Sequence, residues 1–312
     1  NIASFNATNT GTTQVTATIL VSASANGCLG PQESFDIIVN PTPTVNAISD
    51  QEICAGANTN AINFSGAVTG TQFDWSNSNT GIGLGANGTG NIGAFTGVNN
   101  SGAPISGTVS VTPTAAGCVG TPTNFIITIN PLPTATISGT ASVCVGGTNP
   151  VITLTGSNGV APYTFTYNIN GGTPIQVVST GNTATINAPT TTAGTYNYNL
   201  VSVSDASATN CSQNVAGTAT ITVNDNPTPV ITGTLTYCTG TSATLSTSQA
   251  YTSYIWSTGA TTASANVTIV DNPITVQVTN AFGCVGTSAA VNVVENTVIV
   301  YNTVIEICQG ET

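Results

Sequence analysis

The amino-acid sequence predicts an all-β protein built from tandem β-sandwich modules in an extended array. Three observations predict this: the composition, a period-two alternation of apolar residues, and an internal repeat. Thr makes up about one residue in five, whereas Lys, Arg, His and Met are absent from the 312 residues. Thr, Val, Ile and Tyr favour strands, and the helix formers Lys, Glu, Arg and Met are nearly or wholly absent, so composition alone favours strands.

Strand-like alternation runs through the chain. Residues 274–279 read Ile-Thr-Val-Gln-Val-Thr, and residues 109–112 and 125–129 alternate in the same way. A period of two buries one face of a strand and leaves the other in water. The 33 Gly and 15 Pro residues supply turns at short intervals, as in a sandwich of about seven strands.

The sequence repeats itself with an offset of 90 residues. Residues 1–41 match residues 91–131 almost without gaps, including Phe35 with Phe125. Each repeat contains a proline linker, a Cys-x-Gly motif, a body, a second cysteine and a final strand, in that order. The linkers are 40–43, 130–133 and 226–229, the Cys-x-Gly motifs begin at Cys54, Cys144, Cys238 and Cys308, and the second cysteines are Cys28, Cys118, Cys211 and Cys284.

These markers divide the chain into five segments. We expect the C-terminal half of a module at 1–41, whole β-sandwich modules at 42–131, 132–228 and 229–296, and the start of a further module at 297–312. Proline fixes φ and restricts the residue before it, so the Pro-x-Pro linkers are extended and stiff. Modules joined in this way form a semi-rigid rod.

The charge balance excludes several functions. The chain has no basic side chain, and its eleven Asp and Glu residues give a net charge of −11. Nucleic-acid binding needs Lys or Arg against the phosphates, so we exclude that partner. Most acid–base catalysis relies on His or Lys, and no nucleophile here has a neighbouring base, so we predict no catalytic residues and no enzyme. No apolar run is long enough to span a membrane as a helix.

We expect no cofactor and no metal site. Zinc is disfavoured because the chain lacks His. Ca²⁺ prefers about six to eight oxygen ligands, and Asp225, Asp271 and Glu295 lie near module edges. The sequence has no Asp-x-Asp cluster, so we interpret these carboxylates as solubilising and keep a weak Ca²⁺ site as the alternative.

Eight cysteines in regular positions predict disulfides formed in an oxidising, extracellular compartment. Two pairings respect the repeat. The first pairing lies within modules and leaves Cys28 and Cys308 unpaired; it joins Cys54 to Cys118, Cys144 to Cys211 and Cys238 to Cys284. The second pairing crosses the linkers; it joins Cys28 to Cys54, Cys118 to Cys144, Cys211 to Cys238 and Cys284 to Cys308. The second pairing spans a strand, a stiff linker and another strand, which separate the Cα atoms by more than the roughly 7 Å that a disulfide allows. We therefore favour pairing within modules.

An aromatic strand lies early in each module body, at residues 73–75, 163–167 and 254–256. A Trp at this place fills the space between the two sheets of a sandwich, so we interpret these aromatic residues as core. The alternative is a carbohydrate-binding module of a secreted protein, in which Trp75, Tyr251, Tyr254 and Trp256 are exposed and hold a polysaccharide.

Several segments resemble a known family. Residues 194–200, residues 274–284 and the Asn-Pro-x-Pro linkers resemble PKD-like and immunoglobulin-like repeats of giant adhesins that gliding bacteria secrete by the type IX system. Ordinary PKD domains carry Trp-Asp-Phe-Gly-Asp-Gly where this chain has Trp75-Ser76-Asn77-Ser78, which favours the PKD-like relatives. The resemblance implies an extracellular, cell-surface stalk that bears load for a distal adhesive region. The partners it implies are neighbouring modules, surface polysaccharide or motility machinery.

Overall fold

A computed structural model describes residues 2–297 and 299. Within that part of the chain the regular structure consists of 24 β-strands and two single-turn 3₁₀ helices, Thr80–Ile82 and Ile269–Asp271. None of the helices there is long or apolar enough to cross a lipid bilayer. The expected start of a module at 297–312, including Cys308, lies almost wholly outside the described residues.

The chain begins with an isolated antiparallel hairpin. Its strands are β1 (Val15–Ala25) and β2 (Cys28–Val39), and they pair only with each other among the described residues. Asn26 and Gly27 connect them with φ angles of 53° and 83°. Positive φ at both central residues is the two-residue turn whose twist matches that of a hairpin.

The first complete sandwich contains six strands in one sheet and an irregular facing layer. The strands are β3 (Gln51–Cys54), β4 (Gln72–Asn77), β5 (Asn87–Thr89), β6 (Ile105–Ala115), β7 (Cys118–Val119) and β8 (Thr123–Asn130). The order is β3-β8-β6-β4-β5, with β7 on β6, and β3 runs parallel to β8. Alternate residues of β6 and β8, such as Val109, Phe125 and Ile127, pack against Ile62 and Ile82 of the facing layer.

The second sandwich has two regular sheets. Its strands are β9 (Thr134–Ser138), β10 (Ala141–Cys144), β11 (Val151–Ser157), β12 (Thr164–Ile169), β13 (Ile175–Val178), β14 (Thr183–Asn187), β15 (Gly194–Ser204) and β16 (Ser212–Asn224). One sheet has the order β10-β16-β15-β12-β13 and the other β14-β11-β9. The core between them contains Leu154, Phe165, Tyr198 and Ile221. Burial raises the pKa of the Tyr163 hydroxyl at the edge of this core, and the charge of Asp205 adds to the rise.

The third sandwich is smaller. Its strands are β17 (Ile231–Gly233), β18 (Thr236–Cys238), β19 (Ala243–Thr247), β20 (Ser253–Trp256), β21 (Ser264–Val267), β22 (Val276–Thr279), β23 (Val285–Thr287) and β24 (Val294–Asn296). They form sheets β17-β19-β21 and β20-β22-β23 and the parallel pair β18-β24. Trp256 fills the core with 1% of its surface exposed, and its indole nitrogen donates to the Thr262 carbonyl at 2.9 Å.

The structure confirms the predicted fold class of tandem, immunoglobulin-like β-sandwiches. It also confirms the core interpretation for Trp256 and Tyr254, which are buried. Trp75 is half-buried and packs against the first core, and a Cβ on Gly88 would overlap its ring. The Trp75 indole nitrogen has no hydrogen-bond partner among the described residues.

Truncation of Leu245 tests the third core. Leu245 has no exposed surface, so Leu245→Ala should lower the free energy of unfolding of this sandwich by about 2–5 kcal/mol. Urea unfolding followed by Trp256 fluorescence, in a Trp75→Phe background, reports this sandwich alone. The control is Ile255→Ala, a residue 55% exposed in β20, which should cost less than about 1 kcal/mol. Equal losses for the two variants would contradict the assigned core.

Candidate functional site: disulfide-linked junctions between sandwiches

Two disulfides connect neighbouring sandwiches across the proline linkers. Cys54 at the end of β3 is bonded to Cys211 just before β16, and the two Cα atoms are 5.6 Å apart. Cys144 at the end of β10 is bonded to Cys284 just before β23, with a Cα separation of 5.5 Å. In both cases a Cys-x-Gly cysteine is bonded to the second cysteine of the following sandwich.

The within-module pairing favoured from the sequence is therefore wrong. The within-module bonds Cys54–Cys118, Cys144–Cys211 and Cys238–Cys284 do not form, and Cys118 and Cys238 carry free thiols, as does Cys28. The across-linker bonds Cys28–Cys54, Cys118–Cys144 and Cys211–Cys238 do not form either, and Cys284–Cys308 is ruled out because Cys284 is bonded to Cys144. Cys54 and Cys144 are each bonded instead to the second cysteine of the sandwich that follows.

Strand direction explains why a within-module bond is out of reach. Because β3 runs parallel to β8, Cys54 is opposite Asn130 at the end of β8, whereas Cys118 precedes the start of β8. The segment from Cys118 to Asn130 is mostly extended, and its 12 residue steps cover roughly 35–40 Å. The two cysteines of one sandwich thus lie at opposite ends of it.

The three Cys-x-Gly motifs among the described residues form the same turn. The residue after the cysteine donates its N–H to the carbonyl of the asparagine that ends the parallel strand, as in Ala55 to Asn130, Val145 to Asn224 and Thr239 to Asn296. The glycines of the motif, Gly56, Gly146 and Gly240, have φ angles of 83°, 76° and 81°. Glycine takes such angles without steric cost, so the motif ends the strand and holds the cysteine at the linker.

The second cysteines are fixed by compact side-chain hydrogen bonds. The Asn280 side-chain oxygen accepts from the N–H of Phe282 and of Cys284, both at 3.0 Å. In the preceding sandwich, the Asp205 carboxylate accepts from the Ser207 hydroxyl at 2.7 Å, and the Asp205 N–H donates to the Cys211 carbonyl at 3.0 Å. Short polar side chains thus hold both loops in the shape that presents the cysteine.

The loop that carries the second cysteine rests on the linker. Two residues after Cys211, the Gln213 amide donates to the Pro133 carbonyl at 2.6 Å. Two residues after Cys284, Gly286 approaches the Pro227 carbonyl so closely that a Cβ would overlap it. Pro133 and Pro227 both lie three residues beyond the asparagine that ends the last strand, so the two junctions share one register.

A polar cluster surrounds the first of the two disulfides. The Asn130 amide donates to the Glu52 carboxylate at 2.7 Å and to the Thr209 hydroxyl at 3.0 Å. The Thr209 oxygen lies 3.3 Å from the sulfur of Cys54 and 3.2 Å from that of Cys211. One side chain therefore connects the end of β8, the end of β3 and the loop of the following sandwich.

The other candidate residues do not assemble into a site. Asp271 accepts from the N–H and hydroxyl of Thr268, and so caps a 3₁₀ turn. Asp225 directly precedes the 226–229 linker, and Glu295 lies in β24. In residues 2–297 no three His, Cys, Asp or Glu side chains cluster as metal ligands would.

The aromatic residues of the carbohydrate-binding alternative are not exposed as it requires. Tyr254 and Trp256 are buried and Trp75 is half-buried. Tyr251 is half-buried at a shallow cavity of about 520 Å³ beside the 226–229 linker. Its hydroxyl accepts a hydrogen bond from Gln249 at 2.6 Å. The four side chains form no shared surface that could stack on a sugar chain.

No protein-family model and no curated protein sequence matches this chain. Among solved structures, it is similar to a Ca²⁺-stabilised adhesin with which an Antarctic bacterium binds ice (TM-score 0.37, 13% identity, 90% of this chain and 82% of that chain). It is also similar to the tetra-tandem repeat in the extending region of a large adhesion protein (0.31, 16%, 90% and 82%) and to the D1–D4 ectodomain fragment of ICAM-5 (0.37, 10%, 90% and 84%). These distant likenesses assign no ligand or role.

Peptide mapping tests the connectivity directly. Trypsin has no cleavage site here, so the oxidised protein is digested with pepsin at low pH, which also suppresses disulfide exchange. Mass spectrometry should detect crosslinked peptides that contain Cys54 with Cys211 and Cys144 with Cys284. The same digest after reduction is the control. Peptides that join Cys54 to Cys118, or Cys144 to Cys211, would contradict the structure.

Gly286→Ala tests the contact between loop and linker. The added Cβ overlaps the Pro227 carbonyl and forces the loop away, at a cost of about 1–3 kcal/mol. In a glutathione buffer the equilibrium constant for the Cys144–Cys284 bond should fall roughly 5- to 150-fold. In the same variant, the equilibrium constant for the Cys54–Cys211 bond should be unchanged. The control variant Gly93→Ala should leave the constants of both bonds unchanged, because Gly93 has nothing within 4 Å of an added Cβ. An unchanged Cys144–Cys284 constant would show that the contact is not formed.

Proposed function

We propose that this chain is a stalk segment of an extracellular bacterial surface adhesin, and that it extends and bears load for a distal adhesive region. The observation that carries the proposal is the pair of disulfides across linkers, since a bond at a linker restricts bending and separation of two neighbours. In this proposal the modules are 42–131, 132–228 and 229–296, with 1–41 and 297–312 belonging to adjoining modules of the same chain. The setting is a cell surface, with export by the type IX system and a role in gliding or attachment.

The two disulfides overlap along the sequence, and this decides how force passes. The first encloses residues 54–211 and the second residues 144–284. Three separate stretches of backbone, 54–144, 144–211 and 211–284, each connect one disulfide to the other. A pull on the two ends is thus shared by a covalent network and not by one strand of chain.

The composition supports an exposed and long-lived role. The chain has no Lys or Arg, and so no cleavage site for trypsin-like proteases. It forms no Lys–carboxylate or Arg–carboxylate ion pair, so its junctions depend on disulfides and on neutral hydrogen bonds, which salt screens little. Such a junction is suited to an extracellular environment of changing ionic strength.

Single-molecule force spectroscopy tests the load-bearing role. With both disulfides intact, the shortest covalent path from Cys54 to Cys284 is the stretch 144–211. The fully extended chain should be shorter by about 160 residues than the reduced chain, which is roughly 550 Å. Dithiothreitol should release this length.

The control is the double variant Cys54→Ser and Cys144→Ser, which should reach the long extension with or without dithiothreitol. Equal extensions of the oxidised and reduced wild-type chain would overturn the proposed role. A shortening of 140 residues, which the Cys144–Cys284 bond alone would give, would do the same, because the shared network requires both bonds.

A further inference from the structure

The β1–β2 hairpin exposes an apolar face that its counterpart buries. With the offset of 90 residues, β1 and β2 correspond to β6, β7 and β8 strand for strand. Val21 is 46% and Phe35 45% exposed, whereas their counterparts Val111 and Phe125 are buried in the first core. The hairpin thus presents a face shaped for the same kind of facing layer.

The correspondence extends to individual hydrogen bonds. The Asn9 amide donates to the Thr13 and Val39 carbonyls, both at 2.8 Å, and its oxygen accepts from the Gly11 N–H. Its counterpart Asn99 makes the same three bonds, to the Ala103 and Ile129 carbonyls and from the Ser101 N–H. The segment 9–40 therefore has the local structure of the second half of a sandwich.

The loop that carries Cys118 already contacts the linker that follows this hairpin. Gly120, two residues after Cys118, approaches the Pro43 carbonyl as Gly286 approaches that of Pro227. The Asn40 amide donates to the Ala116 carbonyl at 3.0 Å, and Ala116 is two residues before Cys118, as Thr209 is before Cys211. The Cys118 loop thus rests on the linker in the register of the two bonded junctions, yet its thiol is free.

We propose that Cys118 forms a third disulfide of the same kind, in which it takes the place that Cys211 and Cys284 have in the two observed bonds. Its partner is the cysteine that ends a Cys-x-Gly strand, and this strand pairs in parallel with the open edge of β2, with its cysteine opposite Asn40. The segment that supplies the strand has the chemistry of residues 42–90 and covers the apolar face of the hairpin. In the first sandwich β3 makes this pairing with β8, where Cys54 is opposite Asn130.

The proposed bond forms by thiol–disulfide exchange. The thiols of Cys118 and its partner lose two protons and two electrons and form one S–S bond. A small disulfide oxidant, oxidised glutathione in the experiment below, accepts them and leaves as two thiols. The proposal does not depend on the load-bearing role, because it concerns only which segment completes the junction.

A chimera that supplies the missing strand tests the proposal. A copy of residues 42–90 is fused directly before Asn1, so that the offset of 90 completes a sandwich with the hairpin. In glutathione buffer the copied Cys54 should bond to Cys118, and iodoacetamide labelling of Cys118 should fall at least tenfold relative to the original chain. The free thiol of Cys238, which forms the same turn but gains no partner, should be labelled equally in both.

The matched control carries Cys54→Ser in the copy alone, and there Cys118 should again be labelled fully. Fluorescence of the copied Trp75 reports whether the fused segment has packed. If it is shielded while Cys118 stays fully labelled, the proposal is overturned. A bond from the copied cysteine to Cys28 or Cys238 would also overturn it.

If the copied Trp75 is not shielded, a peptide gives the answer on the original chain. The peptide spans residues 46–57 and carries Cys54 as a mixed disulfide with 5-thio-2-nitrobenzoate. The peptide should form a mixed disulfide with Cys118 at least tenfold faster than with Cys28 or Cys238. Of these three thiols, only Cys118 lies in a loop that is bonded to Asn40, next to the open edge of β2. Small 5,5′-dithiobis(2-nitrobenzoate) is the control for intrinsic thiol reactivity. Equal transfer to all three thiols, after this correction, would overturn the proposal.

Discussion

The parallel pairing of each Cys-x-Gly strand (β3, β10 and β18) with the last strand of its sandwich (β8, β16 and β24) is the constraint on which the rest of the structure depends. It brings the Cys-x-Gly motif to the end of the sandwich where the chain leaves for the linker. The second cysteine, in a loop before the last or an edge strand, lies at the opposite end, where the chain enters. A Cys-x-Gly cysteine can therefore bond only to a cysteine of the sandwich that follows. The direction of one short strand thus determines the disulfide pattern.

A chain without basic residues must hold its loops by other means. Here Asn, Thr and Ser side chains bond to nearby backbone groups, as Asn77, Asn99 and Asn280 do at their turns. Such bonds contribute about 0.5–1.5 kcal/mol each and do not require a distant partner. Local hydrogen bonds from polar side chains therefore determine the shapes of the loops, whereas the two disulfides fix the junctions between sandwiches.

Much of this could be predicted from the sequence, because the responsible signals are local. Alternation and turn residues indicated the strands, and the aromatic strand indicated the core that contains Trp256. The disulfide pairing could not be predicted, because it depends on whether β3 runs parallel or antiparallel to β8, and a period-two pattern looks the same in both. The spacing between the asparagine that ends a last strand and the linker proline that contacts the next sandwich is constant. This spacing sets the register of the junction, but it can be interpreted only when the strand pairing is known.

Bonds between sandwiches do something that bonds within them cannot. A bond within one sandwich would stabilise that unit but leave the linker as a single covalent strand, which one cut or one overstretched segment severs. Because the observed loops overlap, three stretches of backbone connect the two disulfides, and a cut anywhere between Cys54 and Cys284 leaves the ends of the chain joined. Each closed loop also restricts the unfolded chain by about 5 kcal/mol in the chain-entropy view. The same pairing that strand direction imposes thus makes continuity of the chain independent of any single peptide bond in this region.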